Sequence, residues 1–219
     1  VAFVGRRADS PGIRMFEDQV KYSISNGING LIPYMDELDG VFDATSAFDH
    51  ENHWEIFSKA GKWVIDLTPS KIGFPFVPVL MDRIPAMYLQ SKNCSNYSMV
   101  TCGGQSSAPL LYALSFASTG ISEVEISSSI AALSAGPATR LNIDQYIEST
   151  ENLTSIVSGC SKVKAILVLN PAEPPVMMRT TVNLSVDSCD IAKAIQMTTE
   201  IIENVQSYVP GYKLVVEPY

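Results

Sequence analysis

A cysteine followed by two glycines is the strongest chemical feature of the sequence. Cys102 precedes Gly103, Gly104 and a helix-like apolar segment. A thiol at the start of a helix lies near backbone N–H groups that favour the thiolate, which is the nucleophilic form. The glycines would let a substrate carbonyl approach the backbone and find oxyanion donors there. The alternative is a buried structural cysteine beside a turn, and local features alone favour that alternative.

The elements before Cys102 follow a βαβ pattern. Residues 41–45 predict a strand, residues 51–60 a helix and residues 62–67 a second strand, so a parallel sheet is expected. Hydroxyl-rich turns follow both strands, at the sheet edge where ligands of open α/β folds lie. Thr45, Ser46, Thr68 and Pro69 in these turns are candidate ligand contacts, and ordinary turn chemistry is the alternative that local features favour.

The elements after Cys102 mix helices and strands. Apolar residues at helical spacing predict helices directly after Gly104, at residues 142–157 and at residues 191–208. Residues 121–133 alternate small polar and apolar side chains, which suits a half-buried antiparallel strand. Further strands are predicted at residues 99–101, 164–169, 177–186 and 213–216. The change of pattern predicts two domains, at residues 1–101 and 102–219.

The composition is that of an acidic globular protein. The 219 residues include 15 Lys and Arg against 23 Asp and Glu, which gives a net charge of −8. That balance argues against binding to nucleic acid or to an anionic membrane surface. No apolar run reaches the ~20 residues of a membrane span and no signal peptide opens the sequence, so a cytoplasmic protein is expected.

A metal centre is not expected. The four cysteines form no Cys-x-x-Cys pair, and imidazole could come only from His50 and His53. In the cytoplasm the thiols stay reduced, which leaves one of them available as a nucleophile.

Longer strings resemble the acylating acetaldehyde dehydrogenase family. MVTCGGQ at residues 99–105 is similar to the nucleophile segment of that family. Further similar strings follow the family's order and spacing: VFDATSA at 41–47, IDLTP at 65–69 with IG at 72–73, SAGPATR at 134–140, NID at 142–144, NPAEPP at 170–175 with MR at 178–179, and YVPGY at 208–212. Each string alone is weak, but together they are highly specific and cover essentially the whole chain.

The resemblance implies an α/β fold, with an incomplete Rossmann-like NAD-binding domain followed by an α+β catalytic and dimerisation domain like that of glyceraldehyde-3-phosphate dehydrogenase. The implied reaction oxidises a short, acetaldehyde-like aldehyde to an acyl-CoA, with NAD as oxidant and coenzyme A as co-substrate. Cys102 would attack the aldehyde and carry the acyl group as a thioester. The implied partners are a second copy of the chain and a 4-hydroxy-2-oxoacid aldolase that hands over acetaldehyde.

The resemblance also implies a cofactor-binding stretch. Its members are Ser134, Ala135, Gly136, Pro137, Ala138, Thr139, Arg140, Leu141 and Asn142. The alternative is a loop in which Asn142 caps the following helix, and both can hold. Arg6 and Arg7 stand where some relatives carry an acidic residue for the ribose; arginine there accommodates a 2′-phosphate, so NADP is an alternative to NAD, and a solvated basic pair is another.

The sequence departs from the family in three places. The family's opening strand with its glycine-rich turn and its C-terminal segment with an asparagine near the nicotinamide are both absent. Thr180 stands where the family has an aspartate that assists the cysteine as a base. A hydroxyl does not accept a proton near pH 7 as a carboxylate does, which argues against efficient turnover. The preceding Arg179 could instead stabilise a thiolate as a nearby cation.

Two other functions remain open on the sequence. A non-catalytic paralogue could serve as a structural or regulatory subunit of an aldolase complex; the missing base favours this function and the retained Cys102 counts against it. Semialdehyde dehydrogenase chemistry with phosphate as acceptor uses a related fold. It would need a catalytic histidine after the cysteine, whereas His50 and His53 both precede it.

Overall fold

The structure is a computed structural model that describes residues 1–137 and 139–219. In these residues the strands are β1 (Ala2–Val4), β2 (Tyr22–Ile24), β3 (Gly40–Asp43), β4 (Trp63–Asp66), β5 (Phe74–Pro75), β6 (Asn96–Ser98), β7 (Ser118–Thr119), β8 (Glu123–Ala131), β9 (Val163–Asn170), β10 (Arg179–Ser185) and β11 (Ser188–Cys189). The α-helices are α1 (Pro11–Phe16), α2 (Gly27–Leu31), α3 (Ala47–Lys59), α4 (Pro78–Met81), α5 (Pro85–Ser91), α6 (Cys102–Ala117), α7 (Pro137–Leu141), α8 (Ile143–Ser158) and α9 (Ile191–Gln206). Short 3-10 helices lie at Glu17–Gln19, Ile32–Glu37 and Ala132–Ser134.

The first half of the chain forms the parallel sheet that the sequence predicts. Strands β3, β4, β6 and β5 lie side by side in that order and run parallel, while β1 and β2 form a separate parallel pair. Helix α3 connects β3 to β4 and begins earlier than predicted, because the Ser46 side chain accepts a hydrogen bond from the Asp49 N–H (3.1 Å) and caps the helix there. The predicted βαβ unit is therefore confirmed.

The second half is a three-stranded sheet with helices on one face. The central strand β8 pairs antiparallel with β10 and parallel with β9. Val124 and Ile126 of β8 are buried beneath α6 and α8, whereas Ser127 and Ser129 are partly exposed on the opposite face. Helix α9 packs on α6. The expectation of a purely antiparallel strand at residues 121–133 is thus half right, because side-chain alternation reports which face is buried and not the direction of the neighbouring strands.

Two strand predictions are wrong. Residues 99–101 form a turn after β6, with Val100 at φ 59°, and Thr101 is the N-cap of α6. Residues 213–216 are irregular chain, with Val215 and Val216 each 64% exposed. Both segments prefer strand conformation locally, but neither has a neighbouring strand to pair with. Pairing decides whether a strand forms.

No helix among the described residues combines the length and the apolar character needed to cross a membrane.

A buried network of charged and polar side chains holds the carboxyl edge of the parallel sheet. Asp43 ends β3 and Asp66 ends β4, and His50 of α3 lies fully buried between their carboxylates. Because an ionised carboxylate only accepts hydrogen bonds, His50 Nδ1–H donates to Asp43 Oδ2 (2.9 Å) and Nε2 faces the Asn96 amide (3.1 Å). His53 Nδ1–H also donates to Asp43 Oδ2 (2.9 Å). The sheet edge is therefore fixed by charge-assisted bonds from one helix.

The pKa values of these groups follow from their surroundings. Burial alone would raise the pKa of Asp43, but hydrogen bonds from His50, His53 and Thr45 outweigh burial and hold that pKa well below its usual range. Burial raises the pKa of Asp66, although hydrogen bonds from Ser70 and Thr68 oppose the shift. The hydrogen bond to Asp43 raises the pKa of His53 above its usual value.

The raised pKa of His53 makes stability depend on pH. The charged pair contributes fully below the pKa of an unfolded histidine, about 6.5, and its contribution is lost as the pH rises through the higher folded pKa. We expect His53→Gln, which keeps a donor but no titrating charge, to lower the free energy of unfolding more at pH 6 than at pH 9. Urea denaturation of both proteins at the two pH values measures this. An equal difference at both pH values would contradict the charge pair.

Candidate active site

Cys102 is the first residue of α6, as the sequence predicts, and its side chain is exposed. The Thr101 side chain accepts a hydrogen bond from the Gly104 N–H (2.8 Å) and caps the helix. The position at the helix N-terminus favours an anionic sulfur. Because its side chain is exposed, Cys102 is not the buried structural cysteine that was the alternative interpretation.

The turn that leads into Cys102 is strained. Val100 has a positive φ of 59°, which a β-branched residue rarely adopts and which costs about 1–3 kcal/mol. Its N–H donates to Ser98 Oγ (3.0 Å), and the Gln105 amide donates to the carbonyls of Met99 (3.0 Å) and Phe76 (2.7 Å). These bonds hold a sharp reversal that brings the sulfur to the surface. Strain of this kind is characteristic of functional sites.

Tyr146 of α8 is the main residue that the sequence analysis missed. Its phenol oxygen lies 3.5 Å from Cys102 Sγ and accepts a hydrogen bond from the Gly103 N–H (2.9 Å). The Tyr146 ring is buried. Burial raises the pKa of Tyr146 well above its usual value, and the neighbouring Cys102 raises it further. The one available signal was its place two residues after the matched NID string.

The two glycines after the cysteine serve a different purpose from the predicted one. The Gly103 N–H donates to Tyr146 and the Gly104 N–H donates to Thr101, so both backbone donors are already used. The expectation that they supply free oxyanion donors is wrong in this structure. A Cβ at Gly103 would overlap the Tyr146 phenol oxygen and lie 2.8 Å from Ser128 Oγ. Glycine is needed because a side chain from α8 lies against the helix backbone.

Thr180 and Arg179 are separated by the pleat of β10. Thr180 Oγ1 lies 2.7 Å from Ser106 Oγ and 3.2 Å from Ser128 Oγ, so its hydroxyl belongs to the group around the thiol. Consecutive residues of a strand point to opposite faces, so the exposed Arg179 lies on the face away from α6. The structure therefore brings Thr180 to the site and leaves Arg179 outside it.

The four predicted turn residues lie at the carboxyl edge of the parallel sheet. Thr45 is exposed and its hydroxyl donates to Asp43 (2.6 Å), while Ser46 caps α3. Thr68 is buried and its N–H donates to Asp66 (2.7 Å). The neighbouring Pro69 carbonyl accepts a hydrogen bond from Ser149 Oγ of α8 (2.6 Å). Turn chemistry thus accounts for their conformations.

The predicted cofactor stretch leads directly into α8. Arg140 donates to the carbonyls of Ala135 (3.0 Å) and Ala132 (3.1 Å), which closes the segment on itself. Asn142 occupies the N-cap position of α8, as expected. Ala138 lies outside the described residues. The other predicted members, Ser134, Gly136, Pro137, Thr139 and Leu141, are at least partly exposed.

Helix α8 joins the thiol to the sheet edge. It carries Tyr146 at Cys102, Glu148 in an ion pair with Lys71, and Ser149 on the Pro69 carbonyl. One helix therefore contacts both the Cys102 nucleophile and the turn at the sheet edge that carries Pro69 and Lys71. Among the described residues, no group of three or more histidine, cysteine or acidic side chains is arranged to hold a metal ion.

The contact between Gly103 and Tyr146 yields a stability prediction. We expect Gly103→Ala to lower the free energy of unfolding by about 1–3 kcal/mol, the usual cost of overpacking a tight contact. Gly211→Ala is the matched control, because a Cβ there meets nothing within 4 Å. Chemical denaturation compares both variants with the parent chain. Parent-like stability of Gly103→Ala would show that the phenol yields easily.

Comparison with solved structures shows the fold. A probable aspartate-semialdehyde dehydrogenase from Pseudomonas aeruginosa superposes with a TM-score of 0.52 at 14% sequence identity, and the match covers 79% of this chain and 63% of that one. The predicted α/β fold is confirmed. At this identity the likeness concerns the fold alone.

Comparison of sequences shows the family. Residues 102–219 match the family described as "Prokaryotic acetaldehyde dehydrogenase, dimerisation". The acetaldehyde dehydrogenase of Spirochaeta aurantia is 44% identical, over 100% of this chain and 71% of that protein. That of Burkholderia pseudomallei (strain 668) is 44% identical, over 98% of this chain and 70% of that protein. The matched segment begins at the exposed Cys102 thiol at the start of α6. From these matches, this chain belongs to the acetaldehyde dehydrogenase family.

Proposed function

We propose that this protein is an acylating aldehyde dehydrogenase that oxidises a short aldehyde such as acetaldehyde and transfers the acyl group to coenzyme A. The observation that carries the proposal is the exposed Cys102 thiol at the N-terminus of α6, 3.5 Å from the Tyr146 phenol. In this scheme the sulfur attacks the aldehyde carbonyl carbon, and the oxidised product is a thioester on Cys102. The thiol of coenzyme A then takes the acyl group and releases the cysteine.

The residues at the sheet edge fit a dinucleotide. Arg6 and Arg7 follow β1 and line, with Ser10, an open pocket of about 480 Å³. Guanidinium groups and a hydroxyl are donors suited to phosphate. Thr45 after β3, and Ser134 and Thr139 before α8, are hydroxyl-bearing residues that are at least partly exposed. When bound, NAD supplies the hydride acceptor, and the two arginines also accommodate the 2′-phosphate of NADP.

The Cys102 nucleophile has a direct test. We expect Cys102→Ser to abolish aldehyde-dependent NAD reduction and the formation of acyl-CoA, because a hydroxyl is a far weaker nucleophile at neutral pH. Cys189→Ser is the control, since Cys189 is partly buried on the short strand β11. Spectrophotometric assays with acetaldehyde, NAD and coenzyme A measure both. Retention of most activity by Cys102→Ser would refute the proposal.

The same assay addresses the second candidate function. The Thr180 hydroxyl is engaged in hydrogen bonds with Ser106 and Ser128. This engagement favours a non-catalytic subunit of an aldolase complex over an enzyme with a base at position 180. An inactive parent chain that co-purifies with a 4-hydroxy-2-oxoacid aldolase would support the subunit. The free thiols of all four cysteines suit a cytoplasmic location for either function.

The open face of the β8–β10 sheet supports a homodimer. It presents Ser127 and Ser129 of β8 beside Val168 of β9 and Thr181 of β10. Small hydroxyl side chains allow close packing and can pair their polar atoms across an interface. This face belongs to the segment that matches the dimerisation family.

Light scattering tests the dimer. We expect a mass near twice 23.8 kDa for the parent chain and near 23.8 kDa for the double variant Ser127→Arg and Ser129→Arg, in which two like charges face their copies. Gln19→Arg, on an exposed site of the first half, is the control and should stay dimeric. A mass near 23.8 kDa for the parent chain at micromolar concentration would refute the homodimer.

A further inference from the structure

The hydroxyl groups around Cys102 form a chain whose donors can be assigned in order. Ser106 donates to the Gly103 carbonyl (3.0 Å), which uses its proton. Thr180 must then donate to Ser106 (2.7 Å), and Ser128 in turn donates to Thr180 (3.2 Å). Tyr146 lies beside this chain, and its phenol oxygen is 3.5 Å from Cys102 Sγ, which can accept the phenol proton.

The strength of this hydrogen bond depends on the charge of the sulfur. A neutral thiol is a weak acceptor. A thiolate is a charged acceptor, and charge-assisted hydrogen bonds are about twice as strong as neutral ones. The phenol O–H therefore donates more strongly to Sγ when Cys102 ionises, while the Gly103 N–H continues to donate to the phenol oxygen.

We propose that Tyr146 is a further catalytic residue of this site, which donates its phenol O–H to the Cys102 thiolate in place of assistance by a carboxylate base. The proposal rests on the proposed function, in which Cys102 is the nucleophile. It explains how position 180 can be a threonine: the thiolate is stabilised before the aldehyde arrives, and no base needs to act during the attack.

Tyr146 acts as a donor and not as a base. Its raised pKa, caused first by burial, keeps the phenol protonated at neutral pH. The hydroxyl chain cannot carry a proton away either, because it ends on the Gly103 carbonyl. The thiol proton passes to solvent water at the exposed sulfur, and the electron pair stays on Sγ. That pair then forms the C–S bond while the carbonyl π pair moves to oxygen.

The test is the pH dependence of alkylation at Cys102. Iodoacetamide reacts with the thiolate, and peptide mapping by mass spectrometry follows Cys102 alone. We expect Tyr146→Phe to move the midpoint of the rate profile up by about one pH unit, which is about tenfold slower alkylation at pH 7, with an unchanged plateau at high pH. Tyr112→Phe is the control, because Tyr112 is a buried phenol of α6 that donates to the Arg83 carbonyl (3.4 Å).

Other outcomes overturn the proposal. A residue that only supports the Gly103 turn would lower the plateau in Tyr146→Phe and leave the midpoint in place. If Tyr146→Phe fails to fold, fluorotyrosine at position 146 replaces it, since this phenol is nearly isosteric and more acidic. The stronger donor should move the midpoint down, and an unmoved midpoint refutes the proposal. Alkylation needs no aldehyde, NAD or coenzyme A, so a shift in a protein without dehydrogenase activity would refute the proposed function and leave the hydrogen bond established.

Discussion

The hydrogen bond between the Gly103 N–H and the Tyr146 phenol is the constraint on which the arrangement of the site depends. It holds α8 against the first turn of α6, and it is short enough that a side chain at position 103 would overlap the phenol. The same contact brings the phenol to the sulfur and places it, at Gly103, beside the hydroxyl pair of Ser128 and Thr180. Because one peptide group and one ring meet here, the geometry of the thiol, the hydroxyl chain and the helix interface cannot vary independently.

Helix α8 extends that constraint to the parallel sheet. Ser149, one turn after Tyr146, hydrogen-bonds the turn after β4, and Glu148 pairs with Lys71 of the same turn. The exposed ion pair contributes little by itself, whereas the hydrogen bond to Pro69 is partly buried. On the other side of the turn, Asp66 belongs to the buried network around His50. Helix α8 thus contacts both the sheet edge and the residue that carries the thiol.

The sequence predicts those parts of the fold that repeat a pattern along the chain. The apolar periods of α6, α8 and α9 and the βαβ spacing depend on neighbours within a few residues, and they are found where expected. The wrong predictions at residues 99–101 and 213–216 depend on a partner strand that local propensity does not reveal. For the site, family-like strings led to Cys102 and Thr180. The sequence did not predict the role of Tyr146 or the network around His50. Their contacts, Tyr146 with Cys102 and His50 with Asn96, join residues that are 44 and 46 positions apart in the chain.

The order in which these contacts form bears on the oxidation chemistry of the nucleophile. Tyr146 and Cys102 are 44 positions apart, so the phenol reaches the sulfur only after α8 has docked on α6. A contact between distant segments requires a long loop to close, and this closure costs conformational entropy before the contact stabilises the fold. Such contacts therefore form late in folding. If Tyr146 has the proposed role, a partly folded chain lacks this donor to the thiolate. Its Cys102 would then be less prone to sulfenic acid or mixed-disulfide formation than in the finished molecule.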